Sequence, residues 1–326
     1  MKVEWKDILI AIALVLVSCG DKNVPDVAVL TSECAAIPTG LASASATVMN
    51  GKAYIFGGRD ASGKYQNDLW QYDATADAWS KISSLPGKAR VKPVIISDNS
   101  SLYMGLGFSG ESAFADSCFL RDWWKYTPSS NSWTRLADYP DVHSNAAVSY
   151  IVSNRIYAIY GFGLGWSSKV MYYDITTDSW HSAGDNSDRA KPTFGGVGAQ
   201  CNGRCFYGTG YRNANTRQWY EVDLNRDDWT ERTKVPGKGR ELCAGCATNE
   251  YIYIFGGRCF GGEYTGGEVL KEALRYKVDE DKWERCGDIR CGRAENMVAF
   301  SIGNKAYYGL GETDEGQVIN KLYRIE

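Results

Sequence analysis

The chain has 326 residues, 44% of them hydrophobic and 13% aromatic, which is enough for one large buried core and too apolar for a disordered protein. Its net charge is −3, with 36 basic and 39 acidic residues interspersed, so no global field argues for nucleic acid as a partner and no nucleic-acid-reading motif occurs. Glycine (35), tyrosine (21) and tryptophan (11) are plentiful, a balance that suits short strands joined by turns and predicts an all-β fold.

Residues 1–18 read separately from the rest. Lys2 and Lys6 precede an uninterrupted apolar run from Ile8 to Val17, which is too short to span a bilayer and predicts a cleaved export signal. The run ends in Leu16-Val17-Ser18-Cys19-Gly20, which resembles the bacterial lipobox. That resemblance implies cleavage before Cys19 and lipidation of its thiol, with residues 19–26 as a tether and the rest of the chain, 27–326, as the folded domain. The expected location is the cell envelope, as an outer-membrane or periplasm-facing lipoprotein whose only membrane contact is its anchor.

From there an aromatic–glycine unit recurs about every fifty residues, as in Ala53-Tyr54-Ile55-Phe56-Gly57-Gly58 and Ile252-Tyr253-Ile254-Phe255-Gly256-Gly257. Related copies end at Gly107, Gly161, Gly210 and Gly311. Hairpin-turn residues such as Asn50-Gly51 and Asn202-Gly203 precede the copies. A further strand such as Leu69-Trp70-Gln71-Tyr72-Asp73 follows each, and six residues past it stands a tryptophan in five copies: Trp79, Trp133, Trp180, Trp229 and Trp283.

Glycine pair, Tyr-Asp strand and fixed-offset tryptophan together resemble the kelch repeat. The resemblance implies a six-bladed β-propeller, with four-stranded blades around a central channel and the tryptophans packed between blades. The sixth copy lacks a tryptophan because the sequence stops at Glu326; aligning Ile37-Pro38 with Leu85-Pro86 makes the segment from Val27 to Pro38 the strand that closes the ring.

In such a blade, the loops between second and third strands and the interblade turns share one face. The turns place Arg90, His143, Arg189, Arg240 and Arg293 at similar positions, with Lys92, Asn145, Lys191, Leu242 and Glu295 two residues on. The loops add aromatics, among them Phe108, Phe162, Trp166, Tyr211, Phe260 and Tyr264. Basic residues with aromatic walls suit a carboxylate-bearing or hydroxyl-rich ligand, so Arg90, Lys92, Arg189, Lys191, Arg240, Arg293, Trp166 and Tyr211 are the candidate binding residues. The competing reading makes the arginines scaffold, paired with loop carbonyls or acidic neighbours.

The expected role is a binding module for a carbohydrate or a protein, acting as a monomer without a cofactor. The alternative comes from resemblance to the sialate mutarotases, also six-bladed kelch proteins, which implies acid/base interconversion of sugar anomers. Glu241 or Glu295 would then serve as acid or base, or His143 instead. A copper oxidase is excluded because its site needs two histidines on one metal, and only His143 and His181 exist, the latter on an outer strand. Cys201, Cys205, Cys243 and Cys246 fall in strand patterns without accompanying histidine, so no metal site is expected; buried or disulfide-bonded cysteine is the expectation for the nine that follow Cys19.

Overall fold

The computed structural model describes residues 24–110, 115–141, 144–185, 194–260 and 267–326. Six antiparallel four-stranded sheets dominate. In the first, Ser45–Met49, Lys52–Phe56, Asp68–Asp73 and Ala78–Ser84 lie side by side in chain order. The pattern recurs from the inner strands Val94–Ser97, Val148–Val152, Val197–Cys201, Ala244–Ala247 and Val298–Ile302. Each inner strand contacts those of both neighbouring sheets, and the last contacts the first, so the sheets are six blades of a closed ring. Among the described residues there is no α-helix, only two short 3-10 turns.

The sixth blade takes its outermost strand from the other end of the chain. Thr31–Cys34 pairs with Leu322–Ile325, in a register running from Thr31 opposite Ile325 to Cys34 opposite Leu322. Upstream of it, Val27 N donates to the carbonyl of Arg285 in blade five and Arg285 N donates to the Pro25 carbonyl, so the N-terminal segment ties blades five and six together. Pairing covers the edge of Leu322–Ile325 and gives the last blade the same four strands as the others.

The inner strands carry small residues because they converge on the axis. Ala46, Thr47, Ser149, Gly198 and Gly245 line a central channel of 340 Å³. At Gly198 a Cβ would fall 1.9 Å from Val148 Cγ1 of the adjacent blade, so only glycine fits.

Outward, four of the repeated tryptophans, Trp79, Trp133, Trp180 and Trp283, donate a hydrogen bond to the preceding blade. Trp79 Nε1 donates to the Ala35 carbonyl at 2.8 Å, while Asp77 accepts the Ala35 amide at 2.8 Å. The same two-point grip holds Ala137 through Trp180 and Asp178, and Thr233 through Trp283 and Asp281. Those aspartates take left-handed backbone conformations and also accept the hydroxyls of Tyr72, Tyr173 and Tyr276. The strand tyrosine, the turn aspartate two residues before the tryptophan and the tryptophan itself are therefore parts of one interblade clamp.

A second set of bonds runs around the channel mouth. At one equivalent position each interblade turn holds a left-handed residue: Ser43, Lys92, Ala146, Gly195, Leu242 and Asn296. Ser43 N donates to Asn296 O, Lys92 N to Ser43 O, Ala146 N to Lys92 O, Leu242 N to Gly195 O and Asn296 N to Leu242 O. Backbone bonds thus pass from blade to blade around most of the ring.

All nine cysteines from Cys34 onward are free thiols, six of them buried. Stability then rests on packing and closure. Deleting residues 1–34 is expected to destabilise the propeller by at least about 3–5 kcal/mol, comparable with truncating a large core residue, because it exposes the last blade's edge. Urea unfolding monitored by tryptophan fluorescence checks this, and an unchanged midpoint would show that the ring closes without the strand.

Candidate functional site

The kelch glycine pair sets the geometry of the mouth. The second glycine's amide donates to the following interblade turn, as Gly58 does to Arg90 O and Gly257 does to Ala294 O. Gly257 has φ +95°, and a Cβ there would lie 2.6 Å from the Glu241 carbonyl, so the turn carrying Glu241 can approach only a glycine. The residue after the pair then bridges the residue before the left-handed position: Ala42 with Arg59, Val91 with Phe108, Asn145 with Phe162, Phe194 with Tyr211, and Glu241 with Arg258. Glu295 and Glu312 complete the set. Six equivalent pairs ring the channel, and their chemistry divides the mouth into halves.

Blades two to four supply the apolar half. Phe108, Phe119, Phe162, Trp166, Phe194 and Tyr211, with Asn145, line a cup of 390 Å³. Phe119 reaches it from the long loop of blade two, its ring 5.3 Å from Phe108 and 6.2 Å from Phe162. Phe162 in turn meets Trp166 at 5.2 Å and Phe194 at 6.0 Å, both nearly edge-on.

Blades five, six and one supply the charged half. Arg258 grips both oxygens of Glu295, at 2.8 and 2.6 Å, and Arg59 pairs with Glu312, whose other oxygen accepts from Asn296 Nδ2 at 2.8 Å. Lys92 stands between the halves, its Nζ 4.4 Å from the centre of the Phe194 ring. Loss of water around it pushes its pKa down to about 8, against the pull of Glu241, Glu295 and Glu312. Glu241 is buried to 7% exposure; that desolvation pushes its pKa up to about 7, opposed by Lys92 and the Asn215 amide. An ammonium and a carboxylate that both titrate near neutrality, beside an apolar wall, can bind a polar ligand and move a proton on it.

The sequence-predicted residues separate clearly. Lys92, Glu241, Trp166 and Tyr211 meet at the mouth. Glu295 lies there too, but locked by Arg258. Arg90 and Arg240 do not face the channel. Both are fully buried between blades: Arg90 forks onto Asp122 with two bonds of 2.7 Å and reaches the Leu106 carbonyl, and Arg240 pairs with Glu272 at 2.7 Å. Their side chains cross to the acid that opens the next blade's third strand, so they are scaffold. Arg293 points outward, to Glu268 and the Val269 carbonyl. Cys19, His143, Arg189, Lys191 and Tyr264 lie outside the described residues.

The alignment of the turns also shifts. Lys92 is equivalent to Ala146 and Asn296, both left-handed, rather than to Asn145 and Glu295. Arg59, Arg258, Glu312, Phe119 and Phe194 are the site residues that sequence reasoning missed. The available signal was position: Arg59 and Arg258 directly follow a glycine pair, and Glu312 follows the equivalent Leu310-Gly311. His181 bonds Ser179 and stacks on Tyr172 at 5.1 Å on an outer strand. Among the described residues no group of three or more His, Cys, Asp or Glu is placed to hold a metal ion.

Replacing Arg90 by Met is expected to cost about 3 kcal/mol of stability by stranding the half-buried Asp122 without its partner. Thermal denaturation checks this, and an unaltered stability with lost ligand binding would return Arg90 to the site.

Comparison with known proteins agrees with the architecture. Residues 27–163 match the KLHDC2/KLHL20/DRC7 Kelch-repeats domain, and residues 239–289 match the Kelch motif. The chain is 27% identical over 254 residues, 73% of its length, to Kelch-like protein 25 of Xenopus tropicalis, and the match covers 39% of that protein. The human Kelch-like protein 25 is similar at 26%. The chain thus spans about two fifths of the length of these relatives. A shorter similarity, 32% over 107 residues and 32% of the chain, links it to N-acetylneuraminate epimerase 1 of Escherichia coli O6:H1, covering 27% of that protein. The solved structure of YjhT superposes with a TM-score of 0.75 at 17% identity, covering 89% of this chain and 95% of that one, which is a likeness of fold. With kelch matches over residues 27–163 and 239–289, six congruent repeats and six blades in one ring, the chain is a six-bladed β-propeller of kelch repeats.

Proposed function

We propose that the propeller binds a carbohydrate at its channel mouth, stacking it on the aromatic cup and hydrogen-bonding it through Lys92 and Glu241. The observation that carries this reading is the junction of a concave aromatic wall with two polar groups left out of the Arg59–Glu312 and Arg258–Glu295 pairs. Sugar rings present apolar C–H faces to aromatic rings and hydroxyls to charged groups, and a mouth so divided offers both. Export and anchoring through Cys19 belong to the same proposal, and the apolar run directly before that cysteine supports them.

A second reading adds a reaction, favoured by the opposed shifts of Glu241 and Lys92. Glu241 carboxylate takes the proton of the anomeric hydroxyl while the Lys92 ammonium gives one to the ring oxygen. The ring C–O bond opens to the free carbonyl form, which rotates and recloses on its other face, and the two protons return. The base must be ionised and the acid protonated, so the rate is greatest between about 7 and about 8 and falls on both sides. The partial similarity to an N-acetylneuraminate epimerase makes sialic acids the first sugars to test.

A saturating sugar is expected to raise the melting temperature by about 4 °C, and Trp166→Ala is expected to abolish the shift. If no neutral or acidic sugar moves it, the carbohydrate reading fails. NMR exchange spectroscopy of the bound sugar separates catalyst from binder: accelerated anomer exchange that Glu241→Gln removes is the enzymatic outcome. For the anchor, Cys19→Ala is expected to release the protein from the membrane fraction, and continued association would overturn lipidation.

A further inference from the structure

The cup is more apolar than stacking a sugar alone demands. Five Phe or Trp rings and Tyr211 close around 390 Å³, where one or two rings suffice to seat a pyranose face. At its edge, the Lys92 ammonium forms no ion pair among the described residues, because Glu295 is held by Arg258 and Glu312 by Arg59. In the wall, the Asn145 side-chain oxygen is buried with no hydrogen-bond partner among the described residues. An apolar cavity, a cation at its rim and an unmet acceptor in its side together describe one kind of occupant.

We infer that the cup is a subsite for a flat apolar group, aryl or acyl, carried by an anionic ligand whose charge pairs with Lys92. A donor on that ligand, an amide or hydroxyl beside the apolar group, would satisfy the Asn145 oxygen. The inference deepens the binding reading above and shares its site. It names which chemistry the cup selects, so a ligand lacking either the apolar group or the charge binds more weakly.

Charge around Lys92 fixes the pH dependence. Glu241, Glu295, Glu312 and Arg59 act on it, and Arg258 and Asn215 act through Glu241; the cup side presents Phe194. Below about 7, Glu241 is neutral and Lys92 charged, so the rim attracts anions. As pH rises, Glu241 ionises first and Lys92 then loses its proton near 8, so attraction declines across both steps.

The probe is 8-anilinonaphthalene-1-sulfonate, an aryl anion with an N–H donor, compared with its uncharged analogue N-phenyl-1-naphthylamine, on the intact chain by fluorescence titration. The sulfonate is expected to bind about tenfold more tightly at about pH 6 than at about pH 9, while the neutral analogue is insensitive to pH. Lys92→Met should remove the preference for the anion and the fall near 8 yet leave the neutral analogue bound. Lys92→Arg should keep the preference and lose the fall near 8. Trp166→Ala should weaken both probes. Equal affinity for the two probes at all pH values, or an anion preference that survives Lys92→Met, overturns the inference. If the sulfonate behaves as stated while no sugar raises the melting temperature, the subsite stands and the carbohydrate reading falls. Sugar binding without any response to either probe has the opposite meaning.

Discussion

Six interblade turns each hold a residue in the left-handed region at one equivalent position, and the backbone bonds between these residues set how closely the blades approach the axis. A left-handed residue reverses the chain sharply enough that its amide faces the carbonyl of the preceding turn, so the bonds pass around the mouth. Because the turns are fixed in this way, the residue before each is held against the residue after the glycine pair. The candidate face is therefore specified by twelve backbone positions whose side chains are free to vary.

That freedom explains how a repetitive scaffold carries an asymmetric site. In blades two to four the paired positions are mostly aromatic or apolar and merge into a cup; in blades five, six and one they include arginine and glutamate and form ion pairs. Lys92 occupies a turn position filled elsewhere by Ser43, Ala146, Gly195, Leu242 and Asn296. One charged side chain at an otherwise unremarked repeat position places a cation between the two halves. Burial lowers its proton affinity and raises that of Glu241, against the pull each exerts on the other, which brings two proton-carrying groups near neutrality at the point where a ligand would enter.

The outer parts of the blades answer a different demand. Tryptophan, turn aspartate and tyrosine hydroxyl form the clamp seen at Ala35, Ala137 and Thr233, and buried Arg90 and Arg240 join blade to blade nearer the axis. A guanidinium buried between two sheets needs its acid in place, and Asp122 and Glu272 occupy the same position in their blades. The arginines that looked like ligand donors in sequence are thus ties between blades.

The sequence by itself determined the repeat, the number of blades, the segment that closes the ring and the interblade role of the tryptophans, because these depend on spacing along the chain. It also brought Lys92, Glu241, Trp166 and Tyr211 into view, since loops between second and third strands and interblade turns must share a face. Tertiary structure alone decided which basic residues face the channel: Arg90 folds back into a buried fork, while Lys92, two residues later, passes a left-handed turn and emerges at the mouth. It alone brought Phe119 and Phe194, 75 positions apart, into one cup, and joined Arg59 to Glu312 across the closure of the ring. Spacing fixes what recurs in every blade. Contacts between blades depend on how the ring closes, and no local pattern records them.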